Sequence, residues 1–153
     1  MRYLCIDLGD RRTGLAVGDD ATRIASPVGV LETAIDTKRG DALLDAIARA
    51  ADEHLGAHDE IVVGLPLNMD GTDGPRTALA RAFAVRLAER TGRTVHLHDE
   101  RLSTAAADWS MARTGMTHKQ KKERRDALAA AAILREFLAA GASGNAGSTA
   151  AEP

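Results

Sequence analysis

The chain has 153 residues, 44% hydrophobic and 27% charged, with a formal net charge of −2. That length suits one domain burying about two-thirds of its unfolded surface, and no stretch approaches the roughly 18 apolar residues of a membrane span. The mildly negative balance excludes a protein that grips nucleic acid with its whole surface, while leaving room for a local basic patch.

In chain order, "RYLCIDLG" and "TGLAVGDD" read as two strands joined by a Gly- and Arg-containing turn, and "SPVGVLET" as a third bounded by Pro27. Met1 and Arg2 run straight into the first strand, so a secretory leader is not expected and the chain reads as cytoplasmic. Cys5 is the only cysteine and sits in an apolar run, where it reads as a small buried hydrophobe. "GDALLDAIARAADEHL" places Leu43, Ile47, Ala51 and Leu55 near one helical face. "EIVVGLP" is a buried strand cut off by Gly64 and Pro66, and "NMDGTDGP" has loop composition. Pro75 suits the first turn of a helix that Gly92 closes. "TVHLHDER" reads as a fifth strand, Ser103 or Thr104 as the cap of a short helix reaching Arg113 before Gly115, and "RRDALAAAAILREFLAA" as the last helix.

The order β-β-β-α-β-α-β-α-α predicts an α/β fold with a mixed five-stranded sheet flanked by helices. Residues 1–140 form the predicted single domain, and the small, polar stretch 141–153 a disordered tail. Residues 113–125, "RTGMTHKQKKERR", set Arg113, Lys119, Lys121, Lys122, Arg124 and Arg125 against the single acid Glu123. This is either a phosphate-binding patch or a solvated helix face.

Three acids fall where secondary structure would hold them still: Asp7 ending the first strand, Glu100 ending the fifth, and Asp126 in or before the last helix. If the two strands are parallel and close, Asp7 and Glu100 emerge at the sheet edge where open α/β sheets bind ligands. From Asp126, steps of four, three and four lead to Ala130, Ile133 and Phe137, the face that packs inward. Each acid has a plainer reading. Asp7 suits a turn residue, Glu100 or Asp99 a surface partner of Arg101, and Asp126 a first-turn acid favoured by the helix dipole. Against the last, Thr117 with Gln120 resembles a capping box that starts the helix early and leaves Asp126 in its interior. Together the three acids form an oxygen-only donor set suited to Mg²⁺ or Mn²⁺.

"DLGDRRTGLAVGD", "VVGLPLNMDGT", "DERLST" and "RRDALAAAAILREFL" resemble, in order, the motif blocks of the YqgF/RuvX family of Holliday-junction resolvases or pre-16S rRNA nucleases with an RNase H-like fold. The resemblance reaches to about residue 140. It implies catalytic and metal-binding roles for Asp7, Glu100 and Asp126, places Gly9, Arg12 and Gly14 in the first turn, and puts Asn68 in a substrate-side loop. It leaves a fourth acid open among Asp70, Asp73 and Asp99, the first two in a Gly-rich loop expected to be mobile.

On this reading the chain is a metal-dependent endonuclease acting on precursor ribosomal RNA or branched DNA, with ribosomal particles as a further partner, no membrane association, and a monomeric or homodimeric state. Two divalent ions roughly 4 Å apart would activate water and neutralise the transition state, with Asp7 anchoring the pair and Glu100 and Asp126 each holding one ion. Arg12 and Arg101 contact phosphate or form surface ion pairs. Asn68, Lys119, Lys121, Lys122, Arg124 and Arg125 line the nucleic-acid path. His96 and His98 share a strand face and read as packing, while Tyr3 and Trp109 are too few for a stacking platform. One alternative keeps the acids in a non-catalytic nucleic-acid-binding or ribosome-assembly module. A remoter one is an ATP-binding domain of the actin type, whose nucleotide clamp requires two such domains.

Overall fold

A computed structural model of the chain describes residues 1–101 and 117–141. The predicted helix between Ser103 and Arg113, Trp109, and the predicted tail from residue 142 onward lie outside the described residues. Strands β1 (Arg2–Leu8), β2 (Thr13–Asp19), β3 (Ala25–Leu31), β4 (Glu60–Leu65) and β5 (Val95–Asp99) form one sheet in the order β3-β2-β1-β4-β5. The first three are an antiparallel meander, and β4 and β5 add on parallel to β1. Helices α1 (Asp41–His54), α2 (Pro75–Thr91) and α3 (His118–Ala140) complete the described elements, with a short 3-10 turn, Thr37–Gly40, before α1.

The period-2 alternation of the strands sorts the core into two halves. Leu4, Ile6, Ile61, Val63, Val95 and Leu97 pack under α1 and α2 with Leu43, Ile47, Phe83 and Leu87. Tyr3, Cys5, Ala16 and Val62 face the other way, against Ala130, Ile133, Leu134 and Phe137 of α3. The predicted α1 face is correct at all four positions, each buried, and Cys5 is a fully buried free thiol. None of the described helices is long and apolar enough to cross a membrane.

Two boundaries differ from expectation. Pro27 lies inside β3, paired with Ala16; a proline is tolerated there because β3 is an edge strand among the described residues. Gly64 likewise lies inside β4 instead of terminating it, for a reason the site supplies.

Candidate active site

Residue alternation decides which side chains meet. Asp7 follows Tyr3 and Cys5 on the face of β1 that α3 covers, and Gly64 follows Val62 on the same face of β4. Glu100 comes directly after β5, where its N–H donates to the Leu65 carbonyl at 3.2 Å and continues the parallel ladder. The carboxyl of Glu100 reaches back across β4, which is why Gly64 is a glycine. A Cβ there would stand 2.6 Å from Glu100 Oε2 and 2.8 Å from Ile133 Cδ1.

Across that gap the Asp7 and Glu100 carboxyls lie near enough to act on each other's titration. Two carboxyl groups held near each other away from water disfavour being ionised together. Burial, the nearby Glu100 carboxyl and the nearby Asp126 charge all push Asp7 well above the ordinary carboxylate range, with Arg76 pulling slightly the other way. Burial also raises Glu100, and Asp99 adds to it, while the Asp7 carboxyl and the Arg76 charge pull down.

The third acid arrives on α3. Thr117 caps that helix with the predicted box: its hydroxyl accepts from Gln120 N at 3.2 Å, and Gln120 Oε1 accepts from Thr117 N at 3.0 Å. Asp126 therefore lies in the third turn and not in the first. Its backbone sits on Gly14, the residue paired with Asp7 on β2; a Cβ on Gly14 would come within 2.0 Å of the Asp126 carbonyl oxygen. Gly14, which lies within β2 and not in the turn before it, is what lets α3 bring Asp126 down beside Asp7. The Asp126 carboxylate itself is engaged with Arg12, Nε to Oδ2 2.9 Å, both side chains about 30% exposed. Among the described residues no three His, Cys, Asp or Glu side chains gather closely enough to hold a metal ion. The pair of Asp7 and Glu100 is the formed part of the site, and Asp126 stands next to it, turned to an arginine.

The remaining candidates divide. Arg101 pairs with Asp99, Nη2 to Oδ2 2.6 Å, and donates to the Met69 carbonyl at 3.2 Å, so the surface pair forms through Asp99 and leaves Glu100 for Asp7. Asn68 Nδ2 donates to Thr72 Oγ1 at 3.1 Å, while Asn68 N and Gly71 N close two backbone bonds in the same loop. Asp70 accepts from the Thr72 N–H and hydroxyl, and Asp73 pairs with Arg81. The loop expected to be mobile is thus cross-linked by its own polar groups. Lys119, Lys121, Lys122, Arg124 and Arg125 occupy the first turns of α3, and Lys121, Lys122 and Arg124 make no ion pair among the described residues. His96 bonds Glu60 at 2.7 Å, His98 lies 3.6 Å from Glu136, and both rings pack on Phe137.

Two functional positions escape sequence reading. Gly64 carried a signal, since an isolated glycine within a strand marks a close approach. Arg76 carried none: it follows Pro75 in the first turn of α2, bonds Asp10 at 2.8 Å and the Leu8 carbonyl, and is a cation whose charge acts on both Asp7 and Glu100.

The sheet order and the acids at the ends of parallel strands define an RNase H-like fold with a carboxylate edge. A solved structure, T. thermophilus RuvC in complex with Holliday junction substrate, shares that fold: TM-score 0.55 at 16% identity, covering 94% of this chain and 97% of that one. The chain belongs to the RuvX family, whose sequence profile, described as Holliday junction resolvase, matches residues 1–140. A protein of Anaeromyxobacter sp. (strain Fw109-5) named "Putative pre-16S rRNA nuclease" is 44% identical over 138 residues, 90% of this chain and 96% of that protein. One of the same name from Geobacillus kaustophilus is 41% identical over 138 residues, 90% and 97%. The family read from the four motif blocks is the family found.

Proposed function

We propose that this chain is a divalent-metal-dependent endonuclease hydrolysing phosphodiester bonds in structured nucleic acid, either precursor 16S rRNA or a branched DNA junction, in the cytoplasm. The observation that carries the reading is the Asp7–Glu100 pair, two carboxyls held near each other at the ends of parallel strands with a glycine between them to make room. Nothing in the packing of the core calls for such a pair, whose mutual repulsion is an expense the fold bears for another purpose.

Once both are ionised, the two carboxylates present four oxygen acceptors at one point, the donor chemistry of a hard cation such as Mg²⁺ or Mn²⁺. Asp7 and Glu100 would hold that cation, and Asp126 would join them when its carboxylate leaves Arg12. Divalent ions bound there supply an activated water and neutralise charge at the phosphorus. The protein's own residues do the rest. Arg12, released from Asp126, and Arg76 would face a phosphate at the acidic edge, and Lys121, Lys122 and Arg124, which make no ion pair among the described residues, would hold the flanking backbone.

The Arg12–Asp126 ion pair favours a second reading, in which Asp126 is structural and the chain binds nucleic acid without cutting it. One experiment separates the two: a 5′-extended 16S rRNA precursor and a four-way DNA junction, each incubated with Mg²⁺, Mn²⁺ or EDTA. Cleavage of either that stops in EDTA supports the nuclease. Cleavage that persists in EDTA removes the metal, and tight binding with no cleavage under any condition selects the second reading.

A further inference from the structure

Beside the carboxylate edge, on the same face of the sheet, β3 and the first turns of α3 enclose an open groove of about 320 Å³. It is lined by the apolar Pro27, Val28, Val30 and Ala127 and by the polar Gln120, Glu123 and Arg124. The groove reaches the acids by a short route. Val30 pairs with Gly14, and Gly14 pairs with Asp7, so Val30 is two strand spacings, roughly 10 Å, from Asp7. Ala127 is the neighbour of Asp126 on α3. At the bulge in β3, Pro27 pairs with Ala16 and Gly29 with Leu15, leaving Val28 as the extra residue between them. Bulges at a sheet edge re-aim a side chain, and Val28 lines the groove while remaining 37% exposed.

We propose that this groove is a nucleotide subsite, holding one unstacked nucleotide of the substrate strand next to the cleavage position. The assignment rests on the nuclease reading above. The base lies against Pro27, Val28 and Val30, and the attached phosphate faces Arg124. Charge settles this orientation. Arg124 makes no ion pair among the described residues and sits on the same helix as Lys121 and Lys122, so it draws the backbone to the rim. An apolar surface with a cation beside it is how proteins seat unpaired bases, since every base has an apolar face whatever its sequence. Placed there, the nucleotide fixes the register of the strand so that a neighbouring phosphate reaches Asp7 and Glu100.

The test uses the four-way junction and the precursor RNA, each carrying 2-aminopurine at successive positions of the cleaved strand, bound in EDTA so that neither is cut. The unaltered protein brightens the probe at one position, where the base leaves its stack. Val28→Asp abolishes that brightening and weakens binding about tenfold, Val28→Ser does so in part, and Arg124→Ala flattens the salt dependence by about one ion while the brightened position stays the same. Melting curves confirm that the variants fold, and Val28→Ser keeps the test open should Val28→Asp not. The groove assignment falls alone if the unaltered protein binds and cuts but no position brightens, or if both Val28 variants bind and brighten as the unaltered protein does. It falls too if Val28→Asp only breaks self-association seen by sedimentation, which would make the groove a contact between copies of this chain. Absence of any binding by the unaltered protein overturns the nuclease reading and the subsite together.

Discussion

Asp7 and Glu100 act on each other across Gly64, and each carboxyl is displaced upward from its ordinary range, mainly by burial. In the metal-free protein the pair keeps a proton that the unfolded chain would release near pH 4. A group that binds its proton more tightly when folded favours folding most at low pH. That contribution is lost as pH rises from the unfolded pKa through the folded one.

Neutralising one acid should therefore stabilise the metal-free fold while abolishing the chemistry. Asp7→Asn and Glu100→Gln are each expected to raise the melting temperature at neutral pH by about 2–4 °C, the change that ~1 kcal/mol makes in a domain of this size. The gain should shrink toward pH 4, where the unaltered pair is protonated anyway. Cleavage should fall on the order of a hundredfold or more in each, with the double variant little worse, because the two act as one unit. Melting curves in EDTA across pH, beside cleavage rates in Mg²⁺, check both parts. A lowered melting temperature at neutral pH would make the pair structural.

The two glycines that flank Asp7 should respond differently to a methyl group. At Gly64 the added carbon meets the ends of two side chains, Glu100 and Ile133, which can swing aside. Gly64→Ala should cost about 1 kcal/mol, the low end for an overpacked site, yet push Glu100 off Asp7 and reduce cleavage at least tenfold. At Gly14 the carbon meets the backbone carbonyl of Asp126, which can yield only if α3 moves. Gly14→Ala should cost about 3 kcal/mol, the upper end. Denaturant midpoints beside cleavage rates separate them, and equal stability losses would refute the assignment of Gly64 to making room for Glu100.

How far the sequence alone reached depends on whether a feature was local. The capping box of Thr117 and Gln120 and the three-four spacing from Asp126 to Phe137 are short-range patterns, and both forecast an inward-facing acid in the helix interior. The meeting of Asp7 with Glu100 was conditional on β1 and β5 being parallel and close; β4 lies between them and satisfies both conditions. Partner choice was not legible. "DERL" offers Asp99 and Glu100 equally to Arg101, and only the pleat, which sends alternate side chains to opposite faces, gives Arg101 to Asp99 and Glu100 to Asp7. Arg76 is invisible for the same reason: its place beside the acids exists only once α2 packs across β4 and β5.

Arg12 and Asp126 provide the test of whether Asp126 belongs to the site or to the scaffold. With both side chains about 30% exposed, a double-mutant cycle on Arg12→Ala and Asp126→Asn should give a coupling below about 1 kcal/mol. Stability is thus not the main use of the pair. Asp126→Asn should lose cleavage as heavily as the other acids, whereas Arg12→Ala should keep the metal-dependent rate and weaken substrate binding. A large coupling energy with unchanged specific activity in Asp126→Asn would assign Asp126 to the scaffold.

Arg76 should set the lower pH limit of activity. Its positive charge lowers the pKa of both Asp7 and Glu100, and the pair must lose its proton before a cation can take its place. Removing the charge with Arg76→Ala leaves burial and mutual repulsion unopposed, so both carboxyls hold the proton to higher pH. The acid limb of the cleavage profile should then move to higher pH, while the rate on the plateau and the melting temperature change little, because Arg76 is half-exposed and its ion pair is with the exposed Asp10. Two controls isolate the cause. Arg76→Lys keeps the charge and should hold the limb in place, and higher ionic strength should shrink the difference between Arg76→Ala and the unaltered protein, since the charge acts through partly solvated space. Raising Mg²⁺ should return the limb of Arg76→Ala toward lower pH by competing with the proton for the same oxygens. A limb that stays put in Arg76→Ala while the plateau rate falls would mean that Arg76 serves by touching the substrate phosphate, with no part in preparing the acids.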